Sequence, residues 1–245
     1  MRPNFSMVLL ASLLAVPVAA SAQTAAPAPA PAPSSVLGPM TDDQIQAAIA
    51  RGNKKKPENI GLTMTDVATG DFSGMECRNC GQTYFSVTVY TPLQWIEATA
   101  ATAKATNKQF TLADVTEAMR EPVLHVVSKE VRNSLNLTAS NVTAEISKVA
   151  ITDQAKTAMV DPLTTKTSQQ NGVKGSGFNG YVSTSTAFSV FSLASLAPVM
   201  SNDKAEFYVV LTVESRTRFE KLKVKDVKQA MNEGCKACGN RPWPI

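Results

Sequence analysis

Four cysteines are the residues of this chain best equipped for chemistry, and they fall in two matched pairs. Cys77-Arg78-Asn79-Cys80-Gly81 and Cys235-Lys236-Ala237-Cys238-Gly239 share the form C-x-x-C-G, each with a basic residue after the first cysteine. Three chemistries fit that spacing. Two thiolates three positions apart grip one tetrahedral ion, and the glycine permits the tight turn; two such knuckles complete a four-thiolate zinc site. In an oxidising compartment the same thiols form disulfides. A thioredoxin-type exchange site is the third option, and it needs a helix behind the first cysteine to lower its pKa.

Local context ranks the three. Cys80 leads into a strand pattern, and Cys235 and Cys238 sit in a tail interrupted by Pro242 and Pro244, so neither pair has the helix that redox chemistry requires. Residues 81 to 234 lie between the pairs, far more than zinc-ribbon spacing. Disulfides are therefore the expected state of Cys77, Cys80, Cys235 and Cys238. A structural zinc site is the alternative and a thiol-disulfide redox protein the second alternative. Four cysteines allow three pairings. A link between the pairs closes the longest loop and constrains the unfolded chain most, so the two pairs are expected to meet in space.

Other candidates are weaker. His125 is the single histidine and lies in Val123-Leu124-His125-Val126-Val127, where it is expected to be a partly exposed strand residue rather than a base or ligand. No nucleophile elbow, H-E-x-x-H or phosphate-loop pattern occurs. Asp42-Asp43 suits the positive end of a helix dipole better than a metal. Arg216, Arg218, Lys221, Lys223 and Lys225 form a basic strip suited to acidic polymers or lipid head groups, or to one solvated strand face. Asn136 and Asn141 match the glycosylation sequon. No catalytic residue is expected, and zinc is the one cofactor the residues allow.

The N-terminus sets the compartment. Residues 7–16 read MVLLASLLAV, Pro17 breaks the run, and Ala20-Ser21-Ala22 supplies small residues for cleavage after Ala22. This is the pattern of an export signal over residues 1–22, too short for a membrane span. A periplasmic or extracellular location is the consequence, and it favours disulfides. The formal net charge of +4 is too small to imply a nucleic-acid partner. Residues 23–40 contain alternating Ala-Pro, which has no face to bury and favours extended polyproline II, so they form a tether.

Local patterns give the secondary structure around these residues. Thr41-Asp42-Asp43-Gln44 has the form of a capping box, with Ile45, Ala48 and Ile49 at helical spacing and Gly52 as a stop, giving a short helix and basic run over residues 41–56. A single domain spans residues 57–245. A half-buried strand is expected over 84–90, then a helix from Thr91-Pro92 to about Asn107 with Leu93, Ile96, Ala100 and Ala103 in one stripe and Trp95 packing beside it. Thr111 caps a short helix before Pro122. Strands are expected over 123–131, 142–151, 181–193, 207–213 and 219–225, and a last helix, capped by Asp226, ends near Gly234. Residues 169–180, rich in Gly, Asn, Ser and Gln, read as a mobile loop. Strands outnumber helices and are not interleaved with them. The fold class is α+β with a mainly antiparallel sheet, a sandwich being one arrangement of it. The function expected is that of an exported, non-enzymatic interaction domain stabilised by its cysteine pairs.

Overall fold

The computed structural model describes residues 39–69, 82–134, 146–174, 180–213 and 216–234. The expected signal and all four cysteines lie outside them, as does the Ala-Pro spacer up to residue 38.

The described chain is α+β, built on two antiparallel sheets. β1 (Leu62–Thr69), β2 (Gln82–Tyr90), β3 (Val123–Ser134), β6 (Thr164–Lys174) and β7 (Gly180–Ser192) form one sheet in the order β1-β2-β3-β7-β6. β4 (Ile146–Asp153), β5 (Met159–Val160), β8 (Glu206–Val213) and β9 (Arg216–Lys223) form the other in the order β5-β4-β8-β9. Alternation along each strand sends one side of each sheet into a shared core. Phe85, Val87 and Val89 on β2, Leu124 and Val126 on β3, and Ala187 and Phe191 on β7 meet Val149 and Ile151 on β4 and Phe207, Val209, Leu211 and Val213 on β8. The pair is therefore a sandwich.

The core is not wholly apolar. The same inward positions carry Ser128, Glu130, Ser183, Ser185 and Ser189, all buried. Arg132 Nε donates to Glu130 Oε1 at 2.6 Å, the Ile146 amide donates to Ser185 Oγ at 3.2 Å, and the Thr165 and Ser189 hydroxyls lie 2.9 Å apart. These bonds pair Glu130, Ser185 and Ser189 in an interior where an unpaired group costs stability, whereas Ser128 Oγ has no partner among the described residues.

The helices gather where β2 ends. α2 (Pro92–Ala105) starts at Thr91, whose hydroxyl accepts the Gln94 amide while Gln94 reaches back to the Thr91 amide. α1 (Asp42–Gly52) opens with the same reciprocal pair at Thr41 and Gln44. Its residues Ile45, Ala48 and Ile49 pack with Met40 on Leu93, Ile96 and Ala100 of α2. Thus the short helix docks, and Met40, the last residue of the expected tether, is buried beside it. Gly52 allows the close approach: a Cβ there would collide with the Glu97 carbonyl oxygen, which is backbone. Glu97, 3% exposed, takes Arg51 Nε at 2.5 Å and Lys55 Nζ at 3.0 Å. The basic run after the helix is in part a clamp between α1 and α2.

Several boundaries differ from expectation. The short helix after Thr111 is two pieces, a 3-10 turn at Leu112–Asp114 and α3 (Glu117–Arg120). α4 (Leu193–Leu196) caps the end of β7. β9 ends at Lys223, so Lys225 belongs to α5 (Val224–Gly234) and Asp226 sits in its first turn rather than before it. The expected loop over 169–180 is corrected over 169–174, residues 175–179 lying outside the described residues: β6 runs to Lys174 and pairs with β7 from Thr164↔Val190 to Lys174↔Gly180. Its residues 164–170 are exposed, so the strand is held by backbone pairing at a sheet edge and carries no apolar alternation.

Candidate functional site

The expectation that the two cysteine pairs meet, by disulfide or by zinc, lies outside the described residues. So do both sequons. Among the described residues, no group of three or more His, Cys, Asp or Glu could hold a metal ion, and no helix is long and apolar enough to cross a membrane.

The basic strip is present but divided. In the β8–β9 register Leu222 faces Phe207 and Arg218 faces Leu211, on the core side. Arg218 is half-buried, with its guanidinium carbon 3.6 Å from the centroid of the Phe85 ring. It is a bridge between the sheets. Lys221 and Lys223 project from the opposite side of β9 and are exposed, as is Lys225 on α5. Arg216 begins β9. Strand period two splits Arg218 from the lysines; five basic residues in ten positions read as one strip only if the alternation is ignored.

The lysine side of β9 belongs to a larger surface. On the outer side of the four-stranded sheet, Met159 pairs with Thr152, Tyr208 with Thr152 and Lys221, and Phe219 with Val210. Phe219 is 41% exposed and Met159 51%. The Tyr208 and Phe219 rings meet edge to face at 6.2 Å, and Lys156 Nζ lies 4.0 Å from the Phe219 centroid and 5.1 Å from that of Tyr208. Such a cation over aromatic faces is attracted by their quadrupoles.

Lys156 is placed by the turn that joins β4 to β5. Its φ is +59°, a left-handed conformation that costs a residue with a Cβ about 1 kcal/mol. Asp153 holds the turn: its Oδ1 accepts the Thr157 amide at 2.7 Å and the Ala158 amide at 3.1 Å, its Oδ2 accepts the Thr157 hydroxyl at 2.9 Å, and its carbonyl accepts the Lys156 amide. The backbone bonds from Ala158 and Thr157 lower the Asp153 pKa, so the carboxylate keeps its grip into mild acid. Lys148 pairs with Asp161 at 3.3 Å, both exposed, and exposed Lys221 pairs with half-buried Glu206 at 3.1 Å on this same side. The result is a face whose floor of Ala150, Thr152 and Val210 is buried, with Phe219 and Met159 exposed among lysines and Tyr208 half-buried between them. Sequence reasoning found Lys221 and Lys223 and missed Lys156, Met159 and Tyr208. The signal available was Asp153 four residues before Thr157, an Asx-type turn.

The five-stranded sheet treats its outer side differently. Tyr90, His125 and Phe188 stand there, opposite in phase to the core residues Val89, Val126 and Ala187. Trp95 of α2 covers them, stacked on His125 at 4.5 Å and near Phe188 at 5.1 Å and Tyr90 at 5.6 Å. His125 is corrected from partly exposed to buried, at 7% exposure. Burial drives its pKa down to about 4. Its Nδ1 has no hydrogen-bond partner among the described residues. Burial also raises the Tyr90 phenol. Trp95 is the packing residue that its place beside the helix stripe suggests.

No protein-family model matches the chain, and no match is found among the curated proteins.

Proposed function

We propose that the chain is an exported, non-enzymatic envelope or secreted protein that acts by presenting the outer side of its four-stranded sheet to a partner, with its cysteine pairs as disulfides. The observation that carries the reading is the exposure of Phe219, Met159 and Lys156 around the half-buried Tyr208. A partly exposed aromatic ring and a methionine set among lysines offer a contact that joins apolar surface to positive charge. The export pattern in residues 1–22 supports the compartment. His125 supports the non-enzymatic part, since it is kept neutral beneath Trp95 and is remote from bulk solvent.

The test is fractionation of cells expressing the full chain, with N-terminal sequencing. The expected result is a product beginning at Gln23 in the exported fraction, retained by the envelope or its partner. Phe219→Ser is expected to lose that retention without losing export. An intact Met1 product in the cytoplasm contradicts the compartment, and unchanged retention of Phe219→Ser contradicts the surface. Thiol titration after denaturation checks the cysteines: no free thiol is expected, and four thiols released with zinc would replace disulfides by the zinc alternative.

A further inference from the structure

We infer that the outer side of the four-stranded sheet docks on an anionic lipid surface. The inference deepens the proposed function and depends on it for the choice of working face. The charge is one argument. Lys148 on β4, Lys156 in the β4–β5 turn, and Lys221 and Lys223 on β9 project on this side, against Asp161 and Glu206. Lysines within reach of a negatively charged leaflet gain from its surface potential, and the gain falls as salt screens it.

The apolar groups decide between polyanions. An acidic polysaccharide offers charge but no hydrocarbon phase, so it would leave Phe219 and Met159 in water. A bilayer interface takes both components: Phe219 and Met159 enter the acyl boundary while Tyr208 and the lysines stay at head-group level. Lys156 suits that border. Its ammonium lies over the Phe219 ring, so the apolar group and the cation reach the surface together. The left-handed φ of Lys156, held by Asp153, gives that placement a rigid support.

The test is co-sedimentation of the chain from Gln23 to Ile245, free of the apolar leader, with phosphatidylcholine vesicles with and without phosphatidylglycerol. Binding is expected only with phosphatidylglycerol and is expected to weaken as salt rises. Lys156→Gln and Lys223→Gln are each expected to weaken binding about fivefold, the effect of one lysine at such a surface. Phe219→Ser is expected to weaken it as strongly at low salt, and circular dichroism checks that each variant is folded. Lys129→Gln, an exposed lysine on β3 of the other sheet, is the charge-matched control and is expected to bind as the parent does. Absence of binding by the folded parent overturns the inference, as does equal binding to neutral vesicles. So does binding to soluble dextran sulfate that survives Phe219→Ser, which assigns the face to an acidic polymer. That last result leaves the interaction reading standing. N-terminal sequencing of the exported fraction tests export separately.

Discussion

The two sheets share a core yet finish their outer sides in opposite ways. On the five-stranded sheet Tyr90, His125 and Phe188 are roofed by Trp95 of α2, and the histidine is dry. On the four-stranded sheet Lys156 lies across Tyr208 and Phe219 among the described residues, and Phe219 remains 41% exposed. Both are aromatic clusters on a pleated surface. The difference lies in the segment that leaves each strand. β2 passes through Thr91-Pro92 directly into a capped helix that folds back on its own sheet. β4 passes into a four-bond turn around Asp153 that can extend one lysine and no more. A cluster with a roof contributes stability, whereas one without a roof is available for contact.

The largest expected effect breaks the roofed side. Trp95→Ala removes the ring that covers His125, Phe188 and Tyr90, and urea denaturation is expected to show a loss of about 3 kcal/mol. A loss under about 1 kcal/mol would mean that Trp95 is not the cover described.

The second effect is pH dependence from the same cluster. The folded pKa of His125 is about 4, below the unfolded value of 6.5, so the unfolded chain binds the proton first. The contribution is full above pH 6.5 and is lost as pH falls toward about 4, by roughly 3 kcal/mol in all. The difference in stability between the parent and His125→Leu, measured over that range, is expected to carry this slope. A flat difference would place a charged, solvated histidine in the native state.

The open side is expected to respond far less. Phe219→Ser should change stability by under about 1 kcal/mol, because the ring stays partly in water in the folded protein. A loss comparable to Trp95→Ala would make Phe219 a core residue and end its role as a contact surface. The smallest effect has the opposite sign. Lys156→Gly relieves the left-handed backbone and gives up the cation over the rings; a gain of a few tenths of a kcal/mol is expected. A clear loss in thermal denaturation would show that the lysine is held for stability.

The sequence made the strongly patterned parts readable for physical reasons. β8 alternates Phe207, Val209, Leu211 and Val213 into the core, and Thr41 and Thr91 each stand three residues before a glutamine that completes a capping box. β6 escaped because its exposed Thr164-Thr165-Lys166-Thr167-Ser168-Gln169-Gln170 shows no apolar period; pairing with β7, which no local pattern encodes, makes it a strand. The burial of His125 escaped for a related reason. Its strand segment is apolar on both sides, and only the return of α2 over the sheet decides that the second side is covered. The lysine face was half visible. Lys221 and Lys223 stood out by charge, but Lys156 joins them through a turn and two strand crossings, and Arg218 left them through the alternation of β9.

The measurement that bears most directly on the contrast between the two outer sides is a lysine footprint. Acetylation rates of individual lysines are compared with and without phosphatidylglycerol vesicles, read by mass spectrometry on the chain from Gln23 to Ile245. The predicted result is protection of Lys148, Lys156, Lys221 and Lys223, with Lys129 and Lys166 on the five-stranded sheet labelled at unchanged rates. Protection of Lys129 and Lys166 instead, or of neither group while the protein is vesicle-bound, would contradict the assignment of the working face.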